Sequence, residues 1–177
     1  ISLLSKSSSD GADFPAAGLA GILAPGGWAP DKLRRDPEGL ARVREVHAAG
    51  KLVATICHGP WILISAGILR GRRLTSTVGI RDDVVNAGAE WLDAPAVTDG
   101  NLVSARVPKD LPAFARDLGM PTWVGYWALT AVGAANILGT WLAGRSARFM
   151  PKHIGLSLIY LAQAVIFLGF PYLPMSP

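Results

Sequence analysis

Residues 51–69 read KLVATICHGPWILISAGIL, and this stretch decides the fold. Lys51 to Ile56 is a short apolar run of the kind that forms a buried strand. Cys57-His58-Gly59-Pro60 follows without a linker, and Trp61 to Leu69 continues as a helical run. The order is therefore strand, sharp turn, helix, with a cysteine at the turn. Upstream, Gly18 to Ala24 (GLAGILA) is a second buried strand, closed by Pro25-Gly26-Gly27, whose glycines admit close approach of another backbone. Between these strands Asp36-Pro37-Glu38 supplies an N-cap, a proline at the first helical position and an early acid. Leu40, Val43, Val46 and His47 then repeat at helical spacing until Gly50.

Downstream the alternation continues. Arg73 to Val78 reads as extended, Asp82 to Gly88 as a short helix, and Pro108 to Leu118 as a final helix. Val97 to Asp99 and Leu102 to Ala105 read as a hairpin around Asp99-Gly100-Asn101. Alternating strands and helices predict an α/β domain with a mostly parallel sheet. In such sheets chemistry collects at the carboxyl ends of strands, where both Gly26-Gly27 and Cys57-His58 fall.

The chemistry available there is nucleophilic. A cysteine at the start of a helix faces the positive end of the macrodipole, which favours the thiolate. His58 is a candidate proton shuttle, although neighbours on a turn often point apart. Backbone N–H groups of His58 and of Gly26 or Gly27 are candidates for an oxyanion hole. The bland alternative for a lone cysteine is a small buried hydrophobe.

Composition divides the chain. Of 177 residues, half are hydrophobic, 17 are Lys or Arg, 13 are Asp or Glu, and Cys57 is the single cysteine, which excludes an internal disulfide and the collagen-like and disordered classes. All the acids lie between Asp10 and Asp117, and beyond Asp117 the only charges are Arg145, Arg148 and Lys152. The net charge of +4 is thus largely one basic island, which argues against nucleic acid as a partner. The opening Ile1 to Asp13 is Ser-rich and lacks the basic start and apolar core of a secretory signal, so it reads as a fragment edge or a joined segment.

Several motifs in order carry a resemblance. Ala24-Pro-Gly-Gly-Trp-Ala-Pro-Asp-Lys-Leu-Arg, Thr55-Ile-Cys-His-Gly-Pro, Ala66-Gly-Ile-Leu-Arg-Gly-Arg-Arg-Leu-Thr-Ser, Ile80-Arg-Asp-Asp, Asn86-Ala-Gly-Ala-Glu-Trp, Asp99-Gly-Asn-Leu-Val-Ser-Ala-Arg and Asp110-Leu-Pro-Ala-Phe resemble the DJ-1/PfpI family, nearest its PfpI-type intracellular proteases, over about residues 21–118. The resemblance implies a flavodoxin-like, class I glutamine-amidotransferase-like domain. It further implies cysteine-dependent peptide hydrolysis or glyoxalase and deglycase chemistry on reactive aldehydes, without a metal or other cofactor. By matching position Cys57 is the nucleophile and His58 its neighbour. Asp31 stands where PfpI-type oligomers place an acid, commonly Glu, that reaches the histidine of an adjacent subunit. A homo-oligomer is therefore expected, and the alternative for Asp31 is a solvated surface acid. The family's own first strand and helix, with a glutamate that bonds the thiol, has no counterpart in the 24 residues before Pro25. An exposed sheet edge and weakened activity are expected from that departure.

From Leu118 to Gly144 and from Ile154 to Pro177 the chain carries no charge. Stretches this long suit membrane helices, which need about 20 apolar residues, and two are expected at about residues 122–143 and 154–173. Trp123, Trp127, Trp141 and Tyr172 fall where interfacial aromatics would lie, and Gly133, Asn136, Gly139 and Ala143 suit close helix packing in lipid. A pair of buried helices in a soluble bundle is the alternative. Gly133-Ala-Ala-Asn-Ile-Leu-Gly-Thr-Trp-Leu-Ala-Gly-Arg, Arg148-Phe-Met-Pro-Lys-His and Leu158-Ile-Tyr-Leu resemble a helix pair of the major facilitator superfamily of transporters, over about residues 119–173.

The expected organisation is thus a truncated DJ-1/PfpI-like domain at residues 1–118 and a two-helix transmembrane hairpin at 119–177. The lipid bilayer would be a partner and the PfpI-like half would lie in the cytoplasm. The basic loop Arg145 to His153 would also be cytoplasmic, which places both ends of the hairpin outside and conflicts with that location. A chimeric chain joined near Asp117 to Gly119 is a further reading of the same facts. In it the transporter-like part would be an integral membrane fragment with no activity of its own.

Overall fold

The computed structural model describes residues 2–3, 18–146 and 161. Five strands form one sheet in the order β1-β2-β3-β7-β6. These are β1 (Ser2–Leu3), β2 (Gly21–Ala24), β3 (Leu52–Ile56), β6 (Ala96–Asp99) and β7 (Leu102–Ala105). The first four in that order run parallel, and β6 closes the edge as the antiparallel half of the expected hairpin. A second sheet pairs β4 (Arg73–Leu74) with β5 (Glu90–Trp91). Only the first two residues of the extended stretch expected from Arg73 to Val78 are strand, and Val78–Ile80 turns as a 3-10 helix into α4 (Arg81–Asn86).

Both faces of the main sheet are covered, which explains why its strands read as continuous apolar runs rather than as alternating ones. Ile22, Ala24, Val53 and Leu102 face α2 (Pro37–Ala48) and α3 (Pro60–Ala66), packing with Val43, Val46, Ile62, Leu63, Leu74 and Val84. The alternate residues Ala54, Val103 and Ala105 face the other way, onto Phe114 of α5 (Leu111–Asp117). Asp36 caps α2 as the sequence predicts, its side chain accepting from the Glu38 N–H at 3.2 Å. The sequence reading held no helix between Gly27 and Asp36, where α1 (Ala29–Leu33) forms with Pro30 in its first turn. It also lacked β1, which meets the expected open edge of β2 through Ser2 opposite Ile22 and Leu3 opposite Leu23.

At the amino ends of the strands, His47 of α2 meets Arg72 and Asn101. Arg72 Nη2 lies 3.4 Å from His47 Nε2, and Asn101 Nδ2 donates to the Lys51 carbonyl at 2.8 Å.

The chain divides into two compact units, Ile1–Leu129 and Thr130–Pro177. Helix α6 (Thr122–Ser146) follows Gly119 and Pro121. Its first turn belongs to the first unit, where Gly125 sits on Pro112: a Cβ there would come within 2.5 Å of Pro112 Cα. The expected first membrane span is corrected here. The helix is 25 residues long, yet among the described residues no helix is both long and apolar enough to cross a membrane. Thr122, Tyr126, Thr130, Asn136 and Thr140, with four glycines and three tryptophans, dilute its Leu, Ile and Val content. The absence of charge alone overstated its affinity for lipid. The second expected span, 154–173, lies outside the described residues apart from helical Leu161. The expected bilayer partner and membrane location rested on these spans, and α6 gives them no support.

Candidate active site

The strand register builds the site. Ala24 lies beside Thr55, and Ile56 beside Ala105, so three parallel strands end together. Their continuations are Pro25-Gly26-Gly27, Cys57-His58-Gly59 and Arg106. The Cys57 N–H donates to the Ala105 carbonyl at 3.0 Å, which ties the elbow to β7 after the ladder has ended. On the other side the Thr77 N–H donates to the Cys57 carbonyl at 3.2 Å. That loop is braced in turn: Ser76 Oγ donates to the Thr77 carbonyl and accepts from Trp91 Nε1, each at 3.0 Å.

Cys57 is the only non-glycine residue with positive φ among the described residues, at 63°. The left-handed conformation costs a side-chain-bearing residue about 1–2 kcal/mol, so the surrounding contacts must hold it. Gly59 shows how tightly they do. A Cβ at Gly59 would collide with the Ala24 carbonyl oxygen and Thr55 Oγ1, and would lie 3.0 Å from the Ile56 carbonyl. Thr55 Oγ1, directly beneath the elbow, is buried and meets no hydrogen-bond partner among the described residues.

The strained turn brings Cys57 Sγ to 3.2 Å from His58 Nδ1, so these adjacent side chains converge. Both are partly exposed, as access by a substrate requires. Gly26 packs against the same thiol. A Cβ at Gly26 would stand 2.5 Å from Cys57 Cβ and 3.2 Å from Sγ. Gly27 is turned away, with φ at 77° and open space around its Cβ position. Among the described residues the N–H groups of His58 and Gly26 meet no backbone acceptor.

Among the described residues Asp31, on α1, forms no hydrogen bond or ion pair with His58. It pairs with Arg35 one turn later, Oδ2 to Nη2 at 2.7 Å. Beyond Ala105, Arg106 bridges Asp110 at 3.0 Å and Asp93 at 2.6 Å, and these two carboxylates, Asp110 first, hold its guanidinium above the ordinary arginine range. Among the described residues no cluster of His, Cys, Asp and Glu could hold a metal ion.

Sequence reasoning missed an aromatic group beside the thiol. Trp61 lies against His58 with ring centroids 5.1 Å apart, and Trp28 meets Trp61 edge-on at 6.1 Å. Arg34 stacks on Trp61, its guanidinium carbon 5.6 Å from the ring centroid. The one available signal was spacing, since Trp61 follows His58 by one helical turn.

The chain is similar to several known proteins. A deglycase of Pyrococcus horikoshii is 54% identical over 96 residues, covering 54% of this chain and 58% of the deglycase. A putative cysteine protease of Bacillus subtilis is 40% identical over 105 residues, covering 59% of this chain and 62% of that protein. Among solved structures, an Anabaena variabilis protein with DJ-1/ThiJ/PfpI-like and ferritin-like domains superposes with a TM-score of 0.58 at 43% identity, covering 61% of this chain and 32% of its own. The chain spans less than two thirds of the length of these curated relatives. Nothing in these matches supports the transporter resemblance or a chimeric join. The profile of the DJ-1/PfpI family matches residues 12–119, more than half of the sequence, and with the elbow geometry of β3 and α3 it shows that the chain belongs to the DJ-1/PfpI family.

Proposed function

We propose that the domain performs cysteine-dependent chemistry on carbonyl compounds, of the deglycase or glyoxalase type, with peptide hydrolysis as the second use of the same site. The observation that carries this reading is the convergence of Cys57 Sγ and His58 Nδ1 at 3.2 Å on a left-handed elbow lined by Gly26. In the first step His58 accepts the thiol proton and the sulfur adds to the carbonyl carbon. The carbonyl π electrons pass to oxygen, which the N–H groups of His58 and Gly26 stabilise, with Gly27 in the same loop. The proton held by His58 then completes a hemithioacetal from an aldehyde, or leaves with the amine of a peptide.

The deglycase relative at 54% identity supports the aldehyde reading, and the putative protease at 40% supports the second. Asp31 acts, in this reading, on His58 of a neighbouring copy in a homo-oligomer. Within the chain it is engaged by Arg35. The test is alkylation by iodoacetamide across a pH series, followed by methylglyoxal consumption. Cys57 is expected to react near neutral pH several-fold faster than N-acetylcysteine, and Cys57→Ala to abolish methylglyoxal consumption. Alkylation no faster than that of the free thiol removes the activated nucleophile and the proposal with it.

A further inference from the structure

We propose that Trp61, anchored by Asp83, is a positioning residue that holds the His58 imidazole against Cys57. The inference rests on the reading of Cys57 and His58 as the reacting pair. A base in such a pair is normally oriented by a third group. Within this chain that group is not a carboxylate, because among the described residues the only hydrogen-bond contact of the His58 side chain is Cys57 Sγ. Within the chain orientation therefore comes from packing, beside whatever Asp31 of a neighbouring copy adds, and the ring against His58 is Trp61, tilted by 53° with centroids 5.1 Å apart.

Trp61 is only partly buried, so filling the core does not explain how firmly it is held. Its Nε1–H donates to Asp83 Oδ2 at 2.7 Å, a charge-assisted bond that ties α3 to α4. Arg34 covers the ring while its Nε donates to Ser65 Oγ at 2.9 Å. Trp28 closes the edge at 76°. These contacts arrive from the loop before α1, the residue after it, and α4, so three parts of the chain converge on one indole. A rotamer fixed in this way restricts the imidazole in turn, since His58 lies one helical turn before Trp61 and shares its turn of backbone.

The test reads the proton-accepting role of His58 rather than folding. Iodoacetamide alkylation of Cys57 is followed at pH 7 and at pH 10 in the native chain, Trp61→Leu, Trp61→Phe, Asp83→Asn, His58→Ala and the Trp61→Leu/His58→Ala double variant. At pH 10 hydroxide generates the thiolate without His58, so a positioning role shows only near neutrality. Trp61→Leu is expected to slow alkylation about 5- to 20-fold at pH 7 and to leave it unchanged at pH 10. Trp61→Phe should recover part of the rate, and Asp83→Asn should lose about 2- to 5-fold. The double variant should match His58→Ala, because the two losses are one effect.

Equal slowing at both pH values, or a further loss in the double variant, overturns the proposal, as does a native rate at pH 7 in both Trp61→Leu and Asp83→Asn. The exposed position of Asp83 keeps the question answerable if Trp61→Leu does not fold. If instead His58→Ala reacts at the native rate at pH 7, the Cys57 and His58 pair is itself at fault. That outcome is distinct from the failure of Trp61 alone.

Discussion

Cys57 Sγ and His58 Nδ1 stand 3.2 Å apart although they belong to consecutive residues. In an extended strand consecutive side chains point to opposite faces, so this contact exists only because Cys57 leaves β3 with φ at 63°. The strained backbone thereby brings the thiol to the imidazole. His58→Gln, which keeps bulk but cannot accept the thiol proton in the same way, is expected to lower the second-order rate with methylglyoxal by about 100-fold or more. Stopped-flow consumption assays on native and variant protein give the ratio, and a loss under threefold would exclude proton transfer through His58.

The glycines around the thiol are predicted to differ in cost. Gly59→Ala drives a methyl into the Ala24 carbonyl and Thr55 Oγ1, and Gly26→Ala drives one into Cys57 Cβ, where the neighbours are main chain or lie within two bonds of it. Each is expected to destabilise the fold by roughly 1–3 kcal/mol. Gly27→Ala meets open space and carries only the conformational cost of φ at 77°, about 1 kcal/mol. Urea denaturation of the three variants should rank Gly27→Ala as the mildest.

His47 supplies a pH dependence at the opposite end of the sheet. Burial first, and the Arg72 guanidinium second, hold its imidazole below the ordinary histidine value of 6.5. Because Arg72 donates to Nε2, protonation there would place two cations face to face. The Asn101 amide nitrogen, 3.3 Å from Nδ1, is itself a donor and supplies no compensating acceptor. A folded-state value depressed below the unfolded one means that the unfolded chain binds the proton more readily. The contribution to stability is therefore complete above about pH 6.5 and is lost as the pH falls through the lower folded value. His47→Gln should flatten the fall in urea midpoint between pH 7.5 and pH 5. An identical slope in the variant would assign the acid sensitivity to other groups.

Arg106 separates two carboxylates that look alike in sequence. Asp110 is buried at 7% side-chain exposure and Asp93 is exposed at 69%, yet both pair with the same guanidinium. Removing the buried partner strands a hydrogen-bonded group beside the carboxyl end of β7, whereas water replaces the exposed one. Asp110→Asn is accordingly expected to lower the thermal midpoint clearly more than Asp93→Asn. Equal shifts, read by circular dichroism, would contradict this ranking.

Much of the first unit was legible without coordinates because its signals are local. The apolar runs at Gly21–Ala24 and Leu52–Ile56, the Asp36 cap and the turn at Asp99-Gly100-Asn101 each act over a few residues, and each element formed close to where it was expected. The short elements β1, α1 and β5 were not legible, because two to five residues carry no periodicity and exist through pairing with distant segments. The expected membrane span failed for a related reason. Counting the absence of charge ignores how far Gly, Thr, Asn and Trp dilute an apolar helix.

Sequence by itself determined the order of strands and helices, the placement of Cys57 and His58 at a strand-to-helix turn, and the glycines that let another loop approach. These follow from backbone preferences and periodicity, which are properties of neighbours along the chain. Only the tertiary structure decided that the two side chains converge, that Gly26 rather than Gly27 lies against the thiol, that Asp31 faces Arg35, and that Trp61 and Asp83 stand behind His58. Those relationships join residues up to 31 positions apart, and no local preference encodes a distance across the ends of three strands.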